Sequence, residues 1–206
     1  MGIWAIVPVK HLKEGKSRLE SVLSPRAREL FSRRILKRTL GLLALSDIIE
    51  RTVVISRDDT ALQMARELGA LIVNESSASD LNCALQRATQ VAASLGATGV
   101  LVLPSDLPLL GANDVEEITR VRGHDPIVVL AADRHGSGTN AIFVRPPGLF
   151  RYRFGGGSLV AHQEQARVQG VVVRVYRLPG MEFDVDEPAD LHRLQLMKPE
   201  FRDAEG

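Results

Sequence analysis

The sequence predicts an α/β fold: a mostly parallel central sheet of about seven strands, one of them antiparallel, with helices on both faces. Three observations carry this expectation. The short apolar runs are Val/Ile-rich and continuous rather than alternating, as strands buried on both faces require. Helical patterns lie between them. The stretch AADRHGSGTN before Ala141 is too short for a parallel crossover, so the run after it should lie antiparallel to a neighbour.

The strands are read at Ile3–Val9, Thr52–Ile55, Leu71–Val73, Val100–Leu103, Ile127–Ala131, Ala141–Val144 and Val171–Tyr176. Ser24 and Pro25 are an N-cap and an N1 proline, opening a long helix over RARELFSRRILKRTLGLLAL. Asp58 opens DTALQMARELG, which Gly69 can close. Further helices are predicted over Asn82–Leu95, Asn113–Val121, Ser158–Gln169 and Pro188–Leu196. Residues 1–197 read as one domain and 198–206 as a polar tail that frays.

Composition removes several function classes. With 206 residues the chain can bury a core without disulfides or a structural metal. Its single cysteine, Cys83, excludes an intrachain disulfide and a cysteine-based zinc cluster, and is expected to be a small packing residue. The five histidines lack the paired spacing of a zinc helix. A net charge of +1 and 4% aromatic content do not suit a nucleic-acid coat or a base-stacking platform. No apolar run is long enough to cross a bilayer, and MGIWAIVPVK enters a strand at once, so a cytoplasmic protein is expected.

The chemistry gathers in a few segments. The first strand runs into PVKHLKEGKSRL, where Lys10, Lys13, Lys16 and Arg18 crowd one loop. Ligands of open α/β sheets bind beyond the carboxyl ends of the strands, so this loop suits an anion. Gly15-Lys16-Ser17 imitates a P-loop, but Lys10 stands where that motif needs glycine. Its helix is also delayed to Ser24. VLVLPSDLPLL places Asp106 just past a buried strand. In EFDVDEP, Asp184 and Asp186 share one face of an extended segment, where like charges need a cation between them or plenty of water. Asp186 could alternatively cap the next helix. Oxygen ligands beside a phosphate site suit Mg²⁺.

Gly136, Gly138 and Thr139 in one loop, and Gly155-Gly156-Gly157-Ser158 before a helix, can hold anions through backbone amides and hydroxyls. Asn74, Asp80 and Asn82 could read a base or ribose, or serve as turn and cap residues. Arg134 and His135 could contact an acid, or face solvent. Together these loops suggest two anionic substrates bridged by Mg²⁺.

In this order, PVK…GKSRL, LNCAL, VLPSDLPLL, DRHGSGTNA, FGGGS…H and FDVDEPADL resemble the CofC guanylyltransferases of coenzyme F420 biosynthesis, from about Ile6 to Leu194. The resemblance implies a Rossmann-like, GT-A-type nucleotidyltransferase fold of the MobA-like superfamily. It implies transfer of GMP from GTP to a small phosphorylated acid: 2-phospho-L-lactate, phosphoenolpyruvate or 3-phospho-D-glycerate. Carried over by motif, Asp106, Asp184 and Asp186 would hold Mg²⁺. Thr139, Gly155 and Ser158 would bind the acid, and Lys10, Lys16 and Arg18 the triphosphate. Asp106, Lys16 and Arg18 would form the catalytic set, with Asn74 and Asn82 expected on the nucleotide. Two departures stand out: Asp80 precedes LNCAL where the family usually has glycine, and Gly156 replaces a proline, leaving that loop less pre-organised.

An anionic acceptor phosphate needs no general base, only neutralised charge and in-line alignment. The expected partners are therefore small molecules, with no nucleic acid and no membrane, and a homodimer left open. The rivals are another MobA-like enzyme with a molybdopterin or sugar-phosphate acceptor, and a non-catalytic nucleotide-binding module.

Overall fold

A computed structural model describes residues 2–75, 80–121 and 126–202. Seven strands form one sheet: β1 (Ile3–Val9), β2 (Ile49–Ser56), β3 (Leu71–Asn74), β4 (Gly99–Val102), β5 (Ile127–Ala132), β6 (Thr139–Arg145) and β7 (Val172–Tyr176). Their order is β3-β2-β1-β4-β6-β5-β7. β6 runs antiparallel to both β4 and β5, and every other pairing is parallel. The predicted antiparallel strand is therefore present, and the short 133–138 connection is the reason.

β1 lies between β2 and β4, so the chain reverses its direction of travel across the sheet at this point. The carboxyl ends of β1 and β4 flank the resulting crevice, where open α/β sheets bind ligands. Lys10 follows β1 and Asp106 follows β4.

Alternate side chains of β1 feed two opposed cores. Ala5, Val7 and Val9 pack with α1 (Pro25–Ala44), α2 (Asp59–Glu67) and α4 (Ala112–Thr119). Trp4 and Ile6 pack with α3 (Leu81–Ser94) and α5 (Ser158–Gln169). A third cluster joins Phe31 and Ile35 of α1 to Phe183, Val185 and α7 (Pro188–Met197). It fixes the acidic segment against the long helix.

The helix starts follow their caps. Ser24 accepts from the Ala27 amide at 3.2 Å, Asp58 from Ala61 at 3.0 Å and Asp80 from Cys83 at 2.9 Å. Asp80 is thus the cap of α3, and Asn82 lies inside the helix rather than at its start. Cys83 is exposed, which corrects its reading as a packing residue. β2 begins at Ile49, ahead of the expected Thr52, because the exposed Glu50 and Arg51 separate the buried Ile49 from the apolar run. A four-residue helix, α6 (Pro179–Glu182), had no sequence signal.

The expected tail is also shorter than 198–206. Residues 199–201 form a 3-10 turn, and Phe201 is buried edge-on against Phe31, with ring centroids 5.9 Å apart. The rest of that stretch, 203–206, lies outside the described residues. Among the described residues no helix is long and apolar enough to cross a membrane.

Candidate active site

A cleft of about 640 Å³ opens at the β1/β4 crevice. That is ample for a nucleotide. Its lining includes Lys10, Lys16, Asp80, Asp106 and Asp186.

The loop after β1 is tied down before it reaches the cleft. Ser56 Oγ donates to the Val9 carbonyl at 2.8 Å and accepts from the Asp58 amide at 3.0 Å. Asp58 Oδ2 accepts from the Leu12 amide at 2.8 Å. Burial opposes the charge on Asp58, but the amides of Ala61, Leu12 and Thr60, together with nearby His11, hold its carboxyl below the ordinary aspartate value.

The loop then turns at Lys16, which has φ 57° and is the only non-glycine with positive φ among the described residues. A lysine in the left-handed region is strained and needs compensation. Its partners supply that. Lys16 Nζ donates to Asp106 Oδ2 at 2.8 Å and to Asp186 Oδ1 at 3.2 Å. The Lys16 side chain is only 8% exposed. Burial alone would lower its pKa, yet Asp106 and Asp186 outweigh it and the ammonium is held above its ordinary value. Arg18, expected beside the triphosphate, is exposed, with one guanidinium nitrogen 4.0 Å from Asp186 Oδ2.

The acidic segment owes its aim to alternation. Phe183 and Val185 are buried in the third core cluster, so the intervening Asp184 and Asp186 project from the opposite face. Burial, with the charges of Asp186 and Asp106 nearby, raises the pKa of Asp184. Asp186 does not cap α7. Asp190 does that work, accepting from the amides of Asp186 at 3.1 Å and Glu187 at 3.0 Å. Arg134 grips Asp190 with two guanidinium nitrogens. Although burial opposes it, Arg134 and these amides keep the Asp190 carboxyl below its ordinary value. Arg134 is thereby engaged in the protein rather than offered to an acid.

The loop carrying Asp106 is held from the other side. Arg38 of α1 donates to the carbonyls of Pro108 and Leu110, each at 3.1 Å.

Among the described residues, no three acidic, histidine or cysteine side chains converge as a ready metal cluster. The donor set still fits a hard cation. Two carboxylates, from Asp106 and Asp186, already share one positive charge, that of Lys16. A third carboxylate, Asp184, stands close enough for its proton affinity to be raised by them. Mg²⁺ commonly takes one or two protein carboxylates and completes its shell with phosphates and water.

The two glycine-rich loops meet beside β6. The Leu159 amide donates to the Ser137 carbonyl at 3.2 Å. The Thr139 amide donates to Ser158 Oγ at 2.8 Å. Thr139 Oγ1 lies 3.0 Å from His162 Nδ1, and His162 Nε2 accepts from the Arg153 amide at 2.9 Å. Burial, with Arg153 adding to it, pushes the His162 pKa down to about 4. Gly155 and Gly157 have φ 137° and 68°, so this turn requires glycine at both positions.

Thr139, Gly155 and Ser158 thus form one cluster, while Lys16, Asp106 and Asp186 form another. Asn82 joins neither as a free amide. Its Nδ2 donates to the Phe154 carbonyl at 3.2 Å and its Oδ1 accepts from the Phe154 amide at 2.8 Å, so it anchors the glycine turn. Asn74 ends β3, exposed and opposite Ser56. The sequence marks Asp58 as a helix cap and His162 as the end of FGGGS…H, but not their ties to Leu12, Arg153 and Thr139, and it gives Asp190 no role. Asp190 does carry a local signal, a carboxylate at the third position of a helix that begins with proline.

The chain can be compared with known proteins on this basis. The family model described as "Guanylyl transferase CofC like" matches residues 3–201. The chain is 40% identical over 195 residues to a phosphoenolpyruvate guanylyltransferase of Rubrobacter xylanophilus, covering 95% of this chain and 94% of that one. It is 35% identical over 192 residues to a 2-phospho-L-lactate guanylyltransferase of Methanothermobacter thermautotrophicus, covering 93% and 83%. A solved nucleotidyl transferase of the same organism superposes with a TM-score of 0.64 at 13% identity, covering 97% of each chain. A seven-stranded sheet with one reversed strand, a cleft at the β1/β4 crevice and a family match across nearly the whole chain all agree: this protein belongs to the CofC-like guanylyl transferase family.

Proposed function

We propose that this protein transfers GMP from GTP to the phosphate of a small phosphorylated carboxylic acid. The candidate acceptors are phosphoenolpyruvate, 2-phospho-L-lactate and 3-phospho-D-glycerate. The observation that carries this reading is the carboxylate pair Asp106 and Asp186, bridged by Lys16 and lining the cleft. Both named relatives are guanylyltransferases of phosphorylated three-carbon acids.

The reaction joins an oxygen of the acceptor phosphate to the α-phosphorus of GTP. The bond from that phosphorus to the α,β-bridging oxygen breaks, and pyrophosphate leaves with the electron pair. The acceptor oxygen is already anionic, so no side chain must remove a proton. Catalysis then rests on alignment and charge neutralisation.

Asp106 and Asp186, with Asp184 beside them, would hold Mg²⁺. A bound Mg²⁺ supplies charge neutralisation and a template for the two phosphates. Lys10 lines the cleft at the end of β1 and neutralises the triphosphate. Lys16 and Arg18 serve the departing pyrophosphate once Lys16 leaves the carboxylates. Thr139, Gly155 and Ser158 receive the acid.

The test is an acceptor panel with GTP and Mg²⁺, following pyrophosphate and the GMP adduct. Adduct formation with at least one of the three acids is expected. GDP as the product, or pyrophosphate release with only a molybdopterin or sugar-phosphate acceptor, refutes the assignment.

A further inference from the structure

We propose that His162 is a positioning residue: it fixes the hydroxyl proton of Thr139 so that Thr139, together with Ser158, meets the acceptor acid purely as a donor. This rests on the reading of Thr139 and Ser158 as the acid site.

A backbone amide can only donate, so the 2.9 Å contact from the Arg153 amide makes His162 Nε2 an acceptor. The ring is fully buried, and burial favours its neutral form. Its one N–H proton therefore sits on Nδ1. The opposite tautomer would set two N–H donors against each other across that contact.

Nδ1–H then donates to Thr139 Oγ1, 3.0 Å away. Thr139 cannot return its own proton to that nitrogen. Its O–H must turn elsewhere and remains available to donate. Ser158 repeats the pattern: its Oγ accepts from the Thr139 amide at 2.8 Å, which leaves the hydroxyl proton free to donate outward.

Both hydroxyls thus accept from the protein and keep a proton for a ligand. Anionic oxygens offer only lone pairs, so a fixed donor pair selects a carboxylate or phosphate. Two rings hold the imidazole in place. Phe150 and Phe154 lie with centroids 5.7 Å and 5.3 Å from it.

The two amide replacements separate positioning from scaffolding. His162→Asn keeps an N–H near the Nδ1 position but abandons the Arg153 amide. His162→Gln reaches the Arg153 amide with its carbonyl oxygen but leaves the Thr139 rotor unset. With phosphoenolpyruvate and 2-phospho-L-lactate each as acceptor, His162→Gln is expected to raise the acceptor KM about tenfold. The KM for GTP should stay within about twofold, and His162→Asn should raise the acceptor KM less than the Gln variant does.

Thr139→Val should raise the acceptor KM by itself, and adding His162→Gln to it should cost nothing further. Equal losses in the Asn and Gln variants, or effects that multiply in the double variant, overturn the positioning role. If Thr139→Val leaves the acceptor KM unchanged, the acid-site reading itself is wrong. The wild-type protein offers a test independent of variant folding. A long-range ¹H–¹⁵N spectrum at pH 7 should show His162 protonated on Nδ1 alone; a proton on Nε2 overturns the proposal.

Discussion

Lys16 Nζ sits 2.8 Å from Asp106 Oδ2 although the two residues are 90 positions apart in the chain. The same ammonium reaches Asp186 at 3.2 Å. One lysine thus neutralises the two carboxylates proposed to hold Mg²⁺, and a Mg²⁺ bound there would compete with it for the same oxygens. Replacing Lys16 by methionine keeps a long apolar stem and removes the competitor. Mg²⁺ affinity without nucleotide, measured by calorimetric titration, is expected to rise about fivefold, while turnover with GTP falls. Unchanged or weaker Mg²⁺ binding places the cation elsewhere.

Asp106→Asn tests the other side of that pair. The change keeps the shape of the side chain but removes a full charge where the triphosphate is proposed to bind. At saturating GTP and Mg²⁺, turnover is expected to fall at least about 100-fold, in line with the loss of one electrostatic stabiliser at a transition state. Near wild-type turnover means that Asp106 holds no metal.

Asp58 makes the cleft loop's anchorage depend on pH. Its folded-state pKa lies below the ordinary 3.8, so its stabilisation is complete well above pH 3.8 and is lost as pH falls through the depressed folded value. Asp58→Ala removes a helix cap and the Leu12 tether together. It should cost about 1–2 kcal/mol at pH 7. In urea melts the gap between wild type and variant should narrow as pH falls below 3.8. A gap that stays constant down to pH 2 contradicts the charged tether.

Much of this was legible from sequence because the decisive signals were local. The Val/Ile runs gave the strands, and the connection of Asp133–Gly138 forced β6 to turn back. Asp184 and Asp186 were placed on one face by two-residue alternation, since Val185 had to be buried. What stayed hidden was long-range or very short. The sequence marks Lys16 only as a phosphate ligand, because nothing nearby announces its carboxylate partners 90 and 170 residues away. Asn82 read as a base contact until both its amide atoms met Phe154, 72 residues on. Phe201 looked like part of a frayed tail because a three-residue turn has no periodicity, yet it closes the core over Phe31.

Arg134 and Asp190 form the clamp behind the acidic segment. Asp190 is 7% exposed and holds the amides of both Asp186 and Glu187, so its charge is tied to the position of Asp186. Arg134→Ala leaves that buried carboxylate without its cation. It should destabilise the fold by about 2–3 kcal/mol and weaken Mg²⁺ binding. Asp190→Asn added to Arg134→Ala removes the uncompensated charge and should recover part of the stability. If the double variant is no more stable than Arg134→Ala, the loss comes from packing against Phe183, 5.9 Å from the guanidinium, rather than from the ion pair.

The glycine turn before α5 gives the last prediction, because its three members have different freedom. Gly155 has φ 137° and Gly157 has φ 68°, conformations that side chains strain. Gly156 does not have positive φ, and a Cβ built on it meets nothing within 4 Å. Gly156→Ala should therefore stabilise by about 0.4–1 kcal/mol, chiefly by restricting the unfolded chain. Gly155→Ala should destabilise by about 1 kcal/mol or more. Since this turn leads into Ser158, a stiffer Gly156 position should also lower the acceptor KM without moving the KM for GTP. Thermal melts and acceptor titrations of the two variants read both effects. A destabilising Gly156→Ala would show that the turn depends on glycine at all three positions rather than at the two with positive φ.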